Sequence, residues 1–155
     1  MKEMVINTVV KVCSADELSP SDREVVDAAR AATANSYAVY SNFNVGAAVR
    51  LADGTIVCGT NQENAAYPSG LCAERTTLFW ANSQYPTQAV EVLAIAARTA
   101  QGELEKPIPP CGACRQVILD VQRRQGVPIR LIMSGNGSAS VVESADALLP
   151  FTFQL

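Results

Sequence analysis

Two short stretches of this chain carry groups that could do chemistry. Pro110-Cys111-Gly112-Ala113-Cys114 sets two thiols three residues apart, and Cys72-Ala73-Glu74 sets a third thiol two residues before a carboxylate. Two cysteines at that spacing on the first turn of a helix point to one side and can grip one ion. Alone, the pair could equally be a redox couple or half of a four-cysteine zinc ribbon. With Cys72 the set becomes three thiolates, which leaves the fourth tetrahedral position of zinc open, as in catalytic rather than structural sites. A divalent ion there lowers the pKa of a bound water, and Glu74 is close enough in sequence to carry the proton.

The sequence contains no histidine among its 155 residues. That excludes serine–histidine triads, papain-like cysteine–histidine pairs and every zinc site that needs an imidazole. Acid–base work near neutral pH falls to a carboxylate, lysine, tyrosine or cysteine with a shifted pKa. Three thiolates on a divalent cation leave one negative charge in excess, which opposes ionisation of a bound water and has to be offset. Two helix N-termini aimed at the sulfurs do this in part. Arg75 is the natural further donor for charge compensation, against the plainer reading of a solvated helix arginine. Of the other two cysteines, Cys58 reads as a small core residue in a strand, and Cys13 lies in the N-terminal arm. Either one as a fourth ligand would close the site into a structural one, but neither sits at a helix start.

The elements that must position these groups follow from the patterning. Residues 4–12 suit an extended arm or edge strand. Ser21 and Glu24 read as a capping box for a first helix whose inner face is Val25, Val26, Ala29, Ala32 and Tyr37. Residues 45–51 and 55–60 form a hairpin through Ala52-Asp53-Gly54. Residues 61–70 are loop, and a helix runs from near Cys72 to about Ala81. Residues 89–98 form a central apolar strand, and 102–110 a polar, proline-rich loop. A helix over 112–124 turns Val117, Ile118 and Val121 inward and ends at Gly126. Residues 128–133 are a further strand, and 144–149 a short final helix. This order predicts a three-layer α/β/α sandwich around a mixed five-stranded sheet. Right-handed crossovers then bring the starts of the two middle helices to one edge of it.

Composition bounds the rest. Residues 21–155 suit one domain, preceded by an extension over 1–20 with no assigned role. Net charge is −3 with scattered basic residues, so nucleic acid is not expected as a partner. No apolar run approaches the ~18–20 residues of a membrane span, and Glu3, Asp16 and Glu17 argue against a secretory leader. Five cysteines, an odd number, fit a reducing compartment, and a cytoplasmic location is expected.

Ordered blocks between residues 37 and 153 carry a family resemblance: Tyr40-Ser41-Asn42-Phe43-Asn44-Val45-Gly46-Ala47-Ala48; Asn61-Gln62-Glu63-Asn64-Ala65-Ala66-Tyr67; Cys72-Ala73-Glu74-Arg75; Pro110-Cys111-Gly112-Ala113-Cys114-Arg115-Gln116; and Leu148-Leu149-Pro150-Phe151-Thr152-Phe153. With these the sequence resembles the cytidine deaminase family in its short, homotetrameric, zinc-dependent class. The cysteine–glutamate element with Pro-Cys-x-x-Cys is also the three-cysteine form of the zinc nucleobase deaminase pattern. The resemblance implies one zinc ion per subunit on Cys72, Cys111 and Cys114, and a homotetramer with shared active sites. It makes Glu74 the proton carrier in hydrolysis of cytidine and 2′-deoxycytidine to the uridines and ammonia, for pyrimidine salvage. It assigns the ribose hydroxyls to Asn61 and Glu63, the pyrimidine face to Phe43, the 4-amino group to the Ala73 carbonyl, and a substrate-side position to Tyr67. Tyr40 and Phe153 resemble residues that reach a neighbouring subunit. Taken without the family, Asn61 and Glu63 are polar loop residues and Phe43 opens a strand. Two other readings stand beside this one. One is a deaminase of a modified nucleoside such as blasticidin S; the other is a non-enzymatic module around a closed four-ligand zinc site, which gives Glu74 no purpose. A polynucleotide or tRNA deaminase typically has histidine where Cys72 stands.

Overall fold

Small and β-branched residues at alternating positions build a seven-stranded mixed sheet in the computed structural model, which describes residues 1–153. The strands are β1 (Lys11–Ser14), β2 (Asn44–Leu51), β3 (Ile56–Thr60), β4 (Val90–Thr99), β5 (Gly102–Glu103), β6 (Arg130–Gly135) and β7 (Ser138–Val142). Three helices accompany them: α1 (Pro20–Ala32), α2 (Ala73–Gln84) and α3 (Gly112–Gln125). The strand order is β1-β7-β6-β4-β2-β3, with β5 pairing β4. Only β4 and β6 pair in parallel, joined through α3; the remaining pairs are antiparallel.

Successive side chains of a strand face opposite ways, and both faces of this sheet are covered. Ala47, Val49, Leu93 and Ile95 pack with Leu78 of α2 and Ile118 of α3. Ala48, Val92, Ala94 and Ile132 pack with Val25 and Ala29 of α1 on the other side. The three expected layers are therefore present. α1 lies so close to β2 that a Cβ on Gly46 would meet the Ala29 carbonyl oxygen at 2.1 Å. Because β3 and β4 both run antiparallel to β2, they point the same way. α2 follows the end of β3 and α3 the end of β4, so both helix starts reach one edge of the sheet.

The sequence-based expectation differs from the structure at several points. The sheet has seven strands rather than five. β7 was hidden by its serines, although Asn136-Gly137 marks the hairpin before it, with Gly137 at φ 73°. β5 is a two-residue strand within the loop after β4. In the arm, only residues 11–14 join the sheet, as β1 on β7. The cap of α1 is Ser19, whose hydroxyl accepts from Asp22 N at 3.1 Å, because Pro20 takes the first helical position, where its missing N–H costs nothing. Ser21 and Glu24 lie inside the helix, and Tyr37 lies beyond its end, half exposed. The final helix is a 3₁₀ turn, Ala145–Leu148. Cys58 is exposed, not a core residue. Gly126 ends α3 in the left-handed conformation as expected. Among the described residues no helix is long and apolar enough to cross a membrane.

Candidate active site

The two helix starts deliver the thiols. Cys72 is the N-cap of α2 and Cys111 the N-cap of α3, both with extended backbone, while Cys114 sits in the first turn of α3. Neither cap cysteine bonds a helix N–H through its side chain, so both sulfurs are free for a metal. Cys72 and Cys111 sulfurs are 3.8 Å apart and those of Cys111 and Cys114 3.5 Å, all three lying within 4.8 Å of one another. Tetrahedral ligation with Zn–S bonds of about 2.3 Å spaces sulfurs by about 3.8 Å. The donor set therefore fits one zinc ion nearly as it stands. Cys13 and Cys58 lie outside this cluster, and among the described residues it gains no fourth ligand.

Electrostatics favour negative charge here. Hydrogen bonding from Cys114 draws the Cys72 thiol down to about 5, with further help from Cys111 and Arg75, against the opposing effect of burial. Cys114, buried and giving that bond, is shifted the other way. Arg75 Nη2 donates to the Gly70 carbonyl at 3.5 Å, and its charge lies close enough to help lower the Cys72 thiol. Its Nε is buried without a partner. The guanidinium is thus partly buried beside the cysteine cluster.

A cavity of about 450 Å³ opens beside the cluster, lined by Phe43, Asn61, Glu63, Cys72, Ala73 and Glu74 among others. Glu74, in the first turn of α2, is only 5% exposed. Burial pushes its carboxyl above the usual carboxylate range, and the nearby Cys72 charge adds to this. Phe43 is half-buried against the core below α2 and α3 while also lining the cavity.

Asn61 and Glu63 do more than line it. Asn61 Oδ1 accepts from Val45 N at 2.9 Å and from the Ser36 hydroxyl, and its Nδ2 donates to the Phe43 carbonyl at 2.9 Å. Glu63 accepts from Tyr40 N at 2.8 Å, Ser41 N at 3.2 Å and the Ser41 hydroxyl. Between them they hold the loop that carries Phe43, where Asn42 adopts a left-handed φ of 56°. The hydrogen bonds of Glu63, that of Ser41 Oγ first, hold its carboxyl below the usual range.

Beyond the cluster itself, Tyr67, Arg75, Tyr40 and Phe153 were singled out from sequence but lie outside this cavity. Tyr67 is 77% exposed and lines an adjoining cavity of about 290 Å³ with Arg75. Tyr40 meets Tyr67 edge to face, with ring centroids 6.3 Å apart. Phe153 is 68% exposed. Conversely, Ser41, Ile108 and Pro109 line the main cavity without having been given a role. Ser41 stood within a recognised block, but Ile108 and Pro109 lay in a loop with no distinguishing pattern.

Three thiolates at two helix starts on one edge of a mixed sheet, with a buried carboxylate beside them, define a zinc-binding α/β protein with an open metal position. Comparison with known proteins narrows the class. The family profile described as "Cytidine and deoxycytidylate deaminase zinc-binding region" matches residues 19–128. The cytidine deaminase of Halalkalibacterium halodurans is 43% identical over 86 residues, 56% of this chain and 61% of that protein, so the match spans about three-fifths of that relative. The crystal structure of cytidine deaminase from Burkholderia pseudomallei superposes with a TM-score of 0.72 at 38% identity, covering 84% of this chain and 97% of that one. That from Mycobacterium tuberculosis gives 0.66 at 29% identity, covering 85% and 96%. The chain belongs to the cytidine deaminase family, and Cys72, Cys111 and Cys114 form its zinc-binding cluster.

Proposed function

We propose that the protein hydrolyses cytidine and 2′-deoxycytidine to the corresponding uridines, releasing ammonia. The observation that carries this reading is the buried carboxyl of Glu74 beside the three-thiolate cluster, in a cavity that Asn61 and Glu63 also line. Its volume, about 450 Å³, falls within the roughly 300–1,000 Å³ of small-ligand sites.

Zinc, when bound, supplies a water of lowered pKa as the nucleophile. Glu74 takes the proton of that water, passes it to ring nitrogen N3, and then helps deliver a proton to the departing amine. Its raised pKa suits a group that both accepts and gives protons near neutrality. The Ala73 carbonyl, which accepts from Thr77 Oγ1 at 2.7 Å and lines the cavity, is the acceptor assigned to the 4-amino group. Asn61 retains one N–H and Glu63 one lone pair after their loop contacts. A sugar hydroxyl can donate to the second and accept from the first. Phe43 packs on the pyrimidine face, Tyr67 stands on the substrate side, and Arg75 with the two helix ends offsets the thiolate charge.

In this reading the active unit is a homotetramer. Phe79 and Trp80 leave α2 exposed, as Phe151 and Phe153 do at the other end, and exposed aromatic surface of this kind marks contact faces. Tyr40 and Phe153, outside their own subunit's cavity, complete a neighbour's. One domain over residues 21–155, a cytoplasmic location and pyrimidine salvage complete the proposal.

The test follows ultraviolet loss with cytidine, 2′-deoxycytidine, free cytosine and blasticidin S. Turnover of the two nucleosides and little of cytosine is expected, while preference for blasticidin S would move the assignment to the modified nucleoside. Glu74→Gln should bind zinc normally yet lose about 10²–10⁴-fold in rate. Full activity in that variant would sink the proton-carrier role.

A further inference from the structure

Cys111 is the ligand its surroundings hold least. Cys114 is buried in the core and Cys72 half-buried, whereas Cys111 is exposed and its side chain makes no capping bond. Small rotations of its backbone would swing the sulfur away from the other two. Both carbonyls that flank its Cα are nevertheless taken, and by one residue. The Arg115 backbone N–H donates to Cys111 O at 2.9 Å, and Arg115 Nε donates to Pro110 O at 2.9 Å. The far end of the same guanidinium, Nη1, donates to Leu148 O at 3.3 Å. Leu148 is buried and closes the 3₁₀ turn Ala145–Leu148. That turn is itself held to α3, since Gln122 Oε1 accepts from Ala145 N at 2.8 Å.

From these contacts we propose that Arg115 is a positioning residue for the metal. It fixes the peptide before Cys111, and so the direction of the Cys111 sulfur, and braces that peptide against the C-terminal turn. The chemistry asks for arginine, because two separate carbonyls need donors diverging from a rigid planar fork, and an ammonium is a single point charge. On α2 the corresponding ligand is held differently: Thr76 N and Oγ1 donate to Cys72 O at 3.1 and 3.2 Å. The inference rests on zinc binding by the three thiolates and is independent of which nucleoside is the substrate.

The experiment compares Arg115→Met and Arg115→Lys with Arg124→Met, which removes a guanidinium from the exposed end of the same helix. Zinc affinity is measured by chelator competition. The cobalt-substituted proteins are compared by thiolate-to-cobalt absorption, and melting temperatures are taken with and without metal. Both Arg115 variants should lose roughly 10–100-fold in zinc affinity and alter the cobalt spectrum, with lysine failing to rescue, while Arg124→Met behaves as the unmodified protein. A residue that only stabilises the fold would lower the melting temperature of loaded and metal-free protein alike; a positioning residue lowers the loaded one more. Unchanged affinity and spectrum, or equal losses in the two melting temperatures, would overturn the proposal. Should both variants fail to fold, the unmodified protein decides. The Arg115 Nε–H resonance should exchange slowly with solvent in the zinc-loaded protein, and exchange as fast as a free arginine overturns the proposal.

Discussion

Glu63 uses one carboxylate for two purposes: it holds the Tyr40–Ser41 turn, and in the proposed reaction it meets a sugar hydroxyl. Its folded pKa lies below the ordinary 4.5, so the contacts are at full strength above that value and are lost as pH falls through the lowered one. The Tyr40 and Ser41 amide resonances should therefore titrate together with a midpoint below 4.5; a midpoint at or above it contradicts the assignment. At this scale the sequence was readable where chemistry depends on spacing, as with Cys111 and Cys114 or Cys72 and Glu74. It was silent on Ser36, Ser41 and Arg115 as anchors. Ser36 meets Asn61 across 25 residues and Arg115 meets Leu148 across 33, and no local pattern records such pairings.

Among the elements, the helix that Cys111 caps and Cys114 joins is tied near its far end by the buried amide of Gln122. Gln122 Oε1 accepts from Ile129 N at 2.9 Å and Ala145 N at 2.8 Å, fixing both the approach to β6 and the 3₁₀ turn. Gln122→Leu leaves these two backbone donors unpaired, at roughly 1–3 kcal/mol each. In urea unfolding the midpoint should drop by the corresponding amount with little change in slope. An unchanged midpoint would mean that water or a relaxed backbone replaces the amide. Periodicity placed α2, α3, β2, β3 and β4 to within a few residues, because each pairs a long apolar pattern with a clear stop. It misplaced the cap of α1, where two serines flank a proline and only the chain's path chooses between them. It missed β5 and β7, whose identity as strands comes from the neighbours they pair with rather than from their own residues.

For the molecule as a whole, the metal should be part of the fold. The cluster joins the starts of α2 and α3, and a ligand that binds only the native state stabilises it by about 4 kcal/mol at a thousand-fold excess over its dissociation constant. Stripping zinc with a chelator should lower the melting temperature by several degrees, reversibly on adding zinc back. No change in melting temperature would show that the two helix starts are held without the metal. The N-terminal arm is bound along an edge strand of the sheet. β1 pairs with β7, Lys11 Nζ lies 2.7 Å from Glu143, and Glu143 lies 3.1 Å from Arg130, which also meets the buried Asp22. The sequence offered an edge strand in the arm but neither its partner nor its register, because the arm's residues suit many edges and only the finished sheet offers one.

By itself the sequence determined the kind of chemistry. A chain without histidine that carries three thiols at helix-start spacings and one adjacent carboxylate has few other ways to handle a soft metal and a proton. Those are properties of residue type and of separations within a turn, which the chain fixes locally. The tertiary structure alone decided that Cys72 and Cys111, 39 residues apart, bring their sulfurs within 3.8 Å. That follows from β3 and β4 pairing on either side of β2 in the same direction, so that two helices start at one edge. It also decided that Asn61 and Glu63 hold a loop while facing the cavity, and that Arg115 reaches both the metal loop and the C-terminal turn. Long-range pairing sets these distances, and the burial that drives it is shared over the whole core rather than written in any one segment.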